Sequence, residues 1–199
     1  MTSFNADNLG KYSDTSEFLL EPEKGIAYAK ATNDFTKEHL DGSFMPPVYG
    51  VVPVWQQVFD TLNTIVPAEH FFSVVHGEQE MIWHRPLKSG LTLRSRARAE
   101  SISVKDSGTT LVIKAESADA NTDELVLEQY FTMFFRGVNG GDFEGNFVGN
   151  KRISPLDVND YKTTVANKND SEVCRNSTKT KMDEDQTYRY SKASGDMMP

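Results

Sequence analysis

The chain has 199 residues, 38% apolar and 25% charged, which fits one large globular domain, or a domain and a fraction, with enough Val, Ile, Leu and Phe to bury a core. Its net charge of −8 is uneven: residues 151–199 hold nine Lys/Arg and eight Asp/Glu, a balance of +1, so residues 1–150 carry −9. A body that acidic argues against general nucleic-acid binding, which needs a basic surface, and no apolar run approaches the roughly 18 residues of a membrane span.

The N-terminus, MTSFNADNLGKYSD, is polar and has no apolar h-region, so a secretory leader is not expected. Cys174 is the only cysteine, which excludes an internal disulfide and a cysteine-based zinc site. Sequons begin at Asn169 and Asn176 and are read as chance matches. The expected setting is reducing and cytoplasmic.

Glu21-Pro22-Glu23-Lys24 places Pro at a first helical position with acids in the first turn, so a short helix is expected from Pro22 to near Asn33-Asp34. A loop follows from His39 to Pro46-Pro47. The next stretch, Val48 to Val66, is apolar, and from Pro53 onward Val54, Val58, Leu62 and Ile65 recur at helical spacing. Trp55, Phe59 and Val66 widen that face, which predicts a buried helix. The pattern then changes to four extended runs, Phe71–Trp83, Leu91–Val104, Thr109–Ala118 and Leu125–Phe135, separated by short turn-type sequences. Short connections predict antiparallel neighbours, and a sheet curled around the helix would bury both. Gly137–Gly149 is glycine-rich, lacks the Lys-Ser/Thr of a phosphate loop, and reads as a flexible linker.

The heptapeptide Tyr28-Ala-Lys-Ala-Thr-Asn-Asp34 returns as Tyr190-Ser-Lys-Ala-Ser-Gly-Asp196 at an offset of 162, with four identities in seven. The second copy is preceded by Asp183-Glu184-Asp185-Gln186, which reads as a capping box. The expected organisation is a complete domain over residues 1–137, a linker over 138–182, and the truncated start of a second copy over 183–199.

Tyr190-Ser-Lys-Ala-Ser194-Gly195-Asp196-Met-Met-Pro199 resembles the start of the signature of MaoC-like dehydratases, the R-specific enoyl-CoA hydratase group. That pattern runs Tyr-x-x-x-Ser-Gly-Asp-x-Asn-Pro-hydrophobic-His. Met198 stands at the Asn position, and the His position falls two residues past Pro199. The first 150 residues resemble the N-terminal half of tandem members, through Tyr28–Asp34, Gly50, Val75-His76-Gly77-Glu78-Gln79 and His84-Arg85-Pro86. The resemblance implies an α+β hot-dog fold, a curved antiparallel sheet wrapped on a long helix. It further implies reversible addition of water to a trans-2-enoyl thioester of coenzyme A or acyl carrier protein, giving the 3R-hydroxyacyl thioester, with no metal or redox cofactor. Dimers formed through hot-dog sheets are the expected assembly.

In that chemistry an Asp and a His share the water as general base and acid, and a backbone N–H stabilises the thioester oxygen. The resemblance makes Asp196 the catalytic acid of the second copy. Asp34 and His39 keep the same five-residue spacing in the first copy, either as a working dyad or as a remnant, and Thr36 and Lys37 depart from the signature's Asn-Pro. Gly50 lies where the family places the glycine that faces the thioester oxygen; its alternative role is close helix–sheet packing. Arg94, Arg96 and Arg98 alternate on one strand face and could grip coenzyme A phosphates or an acidic carrier, or form a solvated face. His76, Glu78, Glu80 and His84 are expected on one strand face, too spread to meet at one metal ion. Phe131, Phe134, Phe135 and Trp83 are expected in core or interface. The rival readings are a hot-dog acyl-CoA thioesterase and a non-catalytic acyl-binding subunit.

Overall fold

The alternation in the four extended runs becomes one antiparallel sheet in the computed structural model, which describes residues 3–150 and 182–196. Its strands are β1 (Ser16–Leu19), β2 (Val74–Trp83), β3 (Thr92–Lys105), β4 (Gly108–Asp119), β5 (Leu125–Arg136) and β6 (Phe147–Gly149). They lie in the order β1-β3-β4-β5-β2, with β6 also pairing with β3. The helices are α1 (Pro22–Ala31), α2 (Lys37–Leu40), α3 (Trp55–Ile65) and α4 (Gln186–Ser194). Residues 151–181 of the linker expected over 138–182, with Cys174 and the two sequons, and Met198-Pro199 fall outside the described residues.

The central apolar stretch is a composite. Pro47–Val54 is a 3₁₀ turn series and the regular α-helix begins only at Trp55. Pro53 has no N–H to give to the ladder, and Val48, Val51, Val52 and Val54 are stiff at χ1, so the tighter geometry runs until Pro53 is passed. From there Val58, Leu62 and Ile65 join Val54 in a core with Ala97, Ala99, Ile102, Leu111, Ile113, Phe131 and Phe135 of the sheet. The small residues Ala97 and Ala99 let the helix lie close to β3, while Phe131 and Phe135 fill the space on β5. A second core joins Leu20, Tyr28, Met45, Tyr49, Leu87, Leu93, Val126 and Leu127 beneath α1.

Three expectations need correction. The Gly137–Gly149 stretch is not a free linker: Thr109 Oγ1 donates to the Val138 carbonyl at 2.7 Å and accepts from the Gly140 N–H at 2.8 Å, and β6 extends the sheet at Ser101–Ser103. No capping box forms before α4. Its N-cap is Asp185, without a side-chain cap, because Gln186 donates instead to the Ala31 carbonyl of α1. Interhelical pairing outcompetes the local cap. The third concerns β2. A register shift between His76 and Glu78 puts His76 opposite Met133 and Glu78 opposite Thr132, on the other face. An isolated Gly in a strand pattern is a bulge signal, and Gly77 supplies it.

Candidate active site

The two heptapeptides build the same turn. Thr32 Oγ1 donates back to the Tyr28 carbonyl at 3.0 Å, and Ser194 Oγ donates back to the Tyr190 carbonyl at 2.8 Å. A left-handed residue follows in each copy, Asn33 at φ 55° and Gly195 at φ 73°, and an Asp comes next. Asn and Gly are the residues that tolerate this conformation. The repeat read from the sequence is therefore also a repeat of local geometry.

The two copies pair. Tyr28 and Tyr190 meet edge to face with ring centroids 5.9 Å apart. Asn33 Nδ2 donates to Gln186 Oε1 at 2.9 Å, and Arg189 donates to the Lys30 carbonyl at 3.2 Å and to Asn33 Oδ1 at 3.1 Å. Burial raises the Tyr28 hydroxyl well above its ordinary range, and its hydrogen bond to Tyr190 and the charge of Asp196 add to this. Tyr28 therefore stays protonated at any physiological pH.

Asp34 and His39 come together. Asp34 Oδ1 accepts the Thr36 N–H at 2.9 Å, and Oδ2 lies 2.7 Å from His39 Nδ1. Partial burial pushes the Asp34 carboxyl up, but the Thr36 N–H and hydroxyl and the imidazole outweigh it, so it titrates below its ordinary value. An ionised Asp34 then accepts the Nδ1–H of His39. The direct contact leaves no room for a water between these two atoms. His39 lines an open cleft of about 640 Å³ together with Thr36, Phe44, Pro47, Trp83 and Leu87.

Asp196 lies elsewhere. It lines a more enclosed, largely apolar pocket of about 190 Å³, whose walls are Trp55, Phe59 and Leu62 of α3, Val74 and His76 of β2, and Met133 of β5. The Asp196 N–H is held by Ser194 Oγ at 3.1 Å. His76, expected on a polar strand face, is the residue that sequence reasoning missed. Its ring, exposed at the pocket's edge, stacks on Phe131 at 5.7 Å, and the His76-Gly77 step was the available signal.

Gly50 lines neither pocket. It is buried under β5, where a Cβ would collide with the Leu127 side chain and press on Leu87 and Met81. Its carbonyl accepts Gln129 Nε2 at 2.8 Å, which ties the 3₁₀ segment to the sheet. Gly50→Ala is expected to lower stability by about 1–3 kcal/mol through overpacking, read as a lower urea midpoint.

Arg94, Arg96 and Arg98 do share a face, but each has a carboxylate partner. Arg94 pairs with Glu17 at 3.2 Å and Asp123 at 2.6 Å, Arg96 with Glu116 at 3.0 Å, and Arg98 with Glu100 at 2.7 Å. Tyr12 stacks between Arg96 and Arg98. Phosphates would have to displace these partners. Among the expected aromatics, Phe131 and Phe135 are fully buried, Phe134 is half-buried on the outer face, and Trp83 is exposed at the rim of the His39 cleft. Among the described residues, no group of three or more His, Cys, Asp or Glu is placed to hold a metal ion, and no helix is long and apolar enough to cross a membrane.

A sheet wrapped on one central helix, with an Asp-ended turn repeated beside it, defines a hot-dog protein of the MaoC-like type. The profile described as the MFE-2 hydratase 2 N-terminal domain matches residues 23–137, and the chain belongs to that family. Its structure is similar to a MaoC-like dehydratase from Phytophthora capsici, with a TM-score of 0.66 and 18% identity over 97% of this chain and 65% of that one. It is also similar to HtdX from Mycobacterium tuberculosis (TM-score 0.61, 15% identity, 93% of this chain and 64% of that one). A third likeness is to the full-length peroxisomal multifunctional enzyme type 2 from Drosophila melanogaster (TM-score 0.57, 18% identity, 92% of this chain and 30% of that one). At these identities the likeness is one of fold, and the chain spans less than two thirds of each of these proteins. No curated protein matches it in sequence.

Proposed function

We propose that this chain serves the reversible hydration of trans-2-enoyl thioesters of coenzyme A or acyl carrier protein to the 3R-hydroxyacyl form, in a reducing, cytoplasmic setting. The observation that carries this reading is the position of Asp196 at an enclosed apolar pocket built by α3, β2 and β5. An acyl chain needs an apolar wall, and the chemistry needs one carboxylate beside it. The acyl chain lies among Trp55, Phe59, Leu62 and Met133, which brings C2 and C3 of the thioester up to Asp196. The Asp196 carboxylate takes a proton from water as the water oxygen bonds to C3. The C2=C3 pair moves onto the thioester oxygen, and the proton then passes to C2.

Asp34 and His39 act in this reading as a clamp on the turn after α1, since their direct contact satisfies both carboxylate oxygens locally. The paired arginines and the packed Gly50 take no part. The assembly is proposed as a homo- or heterodimer through hot-dog sheets.

The test is to incubate the protein with a short trans-2-enoyl-CoA and follow loss of the enoyl absorbance. Asp196→Asn is expected to reduce the rate by roughly 10²-fold or more, within the range for removing an acid–base group. Asp34→Asn is expected to leave the rate within a few-fold of the parent. If Asp34→Asn abolished turnover and Asp196→Asn did not, the assignment would be reversed. Acyl-CoA binding without turnover would point to a non-catalytic acyl-binding domain, and release of free coenzyme A to a thioesterase.

A further inference from the structure

α4 is nine residues long, and only Gln186 and Ser194 of it are buried. Tyr190 and Ala193 pack in part against the second core. A helix that short is marginal in water, and so little apolar burial contributes little to holding it on the domain. Asp196 nevertheless stands two residues past its end, at the pocket built by α3, β2 and β5. Whatever fixes α4 also fixes that carboxylate.

The fixing is polar and centres on Arg189, whose five N–H donors are all used. Nε donates to Asp185 Oδ1 at 3.0 Å. Nη1 donates to the Lys30 carbonyl at 3.2 Å and to Asn33 Oδ1 at 3.1 Å. Nη2 donates to Asp183 Oδ2 and, at 3.2 Å, to Gln186 Oε1. Gln186 Nε2 reaches the Ala31 carbonyl, and Asn33 Nδ2 donates to Gln186 Oε1 at 2.9 Å and to Asp183 Oδ2 at 3.1 Å. Lys30 and Ala31 are the last residues of α1, where the helix dipole is negative and a guanidinium is its complement.

This brace runs one way. At the offset of 162 between the copies, Ala27 stands where Arg189 does and Gly195 where Asn33 does. The first copy therefore has no guanidinium to offer the second turn, and the second turn has no side-chain amide to receive one. The turn ending in Asp34 is gripped by the second copy, and the turn ending in Asp196 takes its position from the helix that grips.

We propose that Arg189 is a positioning residue for the reaction: by locking α4 onto the C-terminal end of α1, it holds Asp196 at the pocket. This rests on the hydratase reading above. Lysine is a poor substitute, because one nitrogen with three donors cannot span Lys30, Asn33 and two aspartates as the planar fork does.

Arg189→Ala is expected to lower kcat for a short trans-2-enoyl-CoA by about 10- to 10²-fold, the scale of a misplaced reacting group, with KM little changed. Arg189→Lys should recover only part of the rate. Asn33→Ala removes the far end of the brace and is expected to cause a similar loss, with the double variant no worse than the poorer single one. A residue that only added stability would lower the urea midpoint and leave the kcat of folded protein alone. A kcat within about twofold of the parent in Arg189→Ala, or fully additive losses in the double variant, would overturn the proposal. Independently of turnover, amide hydrogen exchange in α4 is expected to quicken by about 10-fold or more in Arg189→Ala while β3 to β5 keep their protection. Unchanged exchange in α4 would mean that Arg189 does not hold the helix, and the proposal fails whatever the activity. Faster exchange with a parent that hydrates no enoyl-CoA would instead sink the hydratase reading, and the positioning role with it.

Discussion

Phe131→Ala is expected to destabilise the fold by about 3–5 kcal/mol. Phe131 is fully buried in the middle of β5, within the core formed around α3. It touches Trp55 on one side, at 5.9 Å between ring centroids, and carries the stacked His76 on another, at 5.7 Å. Strands β4 and β2 bracket it at Ile113 and Gln79, so the backbone cannot collapse into the space left behind. The loss then includes a cavity term on top of the transfer term. Phe131→Leu keeps most of the volume and is expected to cost less than half as much. Urea unfolding reads both. A midpoint unchanged in Phe131→Ala would mean that the core around α3 is not packed as described.

Lys114→Met is expected to cost about 2–3 kcal/mol, a little less than breaking a fully buried ion pair, because the group is partly exposed. Lys114 Nζ lies 2.7 Å from Glu116 and 2.6 Å from Glu128, and these two acids face each other directly across β4 and β5. Like charges opposite one another destabilise a sheet, and Lys114 is what separates them. Lys114→Met/Glu128→Gln, which removes the facing charge as well, is expected to be more stable than Lys114→Met alone. The reverse order would exclude like-charge repulsion as the cause.

The same network sets a pH window. Burial pushes the carboxyls of Glu116 and Glu128 up, but Lys114 with Tyr12 and Arg96 on one, and with His84 on the other, holds both below their ordinary 4.5. Their stabilisation is fully present above pH 4.5 and is lost as pH falls through the lowered values. Burial pushes Lys114 down, but the two glutamates raise it well above its ordinary 10.5. Its stabilisation is fully present below pH 10.5 and is lost as pH rises through the raised value. Plotted against pH, stability should therefore fall at both ends in the parent, and Lys114→Met should flatten both limbs.

The elements legible in the sequence were those with a strong local period. Phe71–Trp83 anticipated β2 apart from its 3₁₀ start, and Leu91–Val104, Thr109–Ala118 and Leu125–Phe135 anticipated β3 to β5 within a residue or two. The helix predicted from Pro53 onward begins at Trp55. Two strands were not legible. β1 is four residues long and β6 three, and neither has enough alternation to stand out from a loop. Each is a strand because β3 offers it unpaired backbone.

For the candidate site, the repeat picked out the two Asp-ended turns, because turn geometry is local and leaves a local signature, and the resemblance to the MaoC-like signature then named Asp196, Asp34 and His39. The residue patterns by themselves thus determined a sheet curled around a buried helix and a duplicated Asp-ended turn, and the family resemblance added the hot-dog class and the candidate acids. Three-dimensional packing alone decided which of these residues share a pocket. A bulge at Gly77 reverses the side that His76 faces, and Leu127 wedges against the space where Gly50 has no Cβ. The three arginines keep their common face but are matched one by one with carboxylates from β1, β3, β4 and the loop after β4. Each outcome depends on a neighbour far away in the chain, brought close by burial of apolar surface, and no periodicity within a strand records which neighbour that will be.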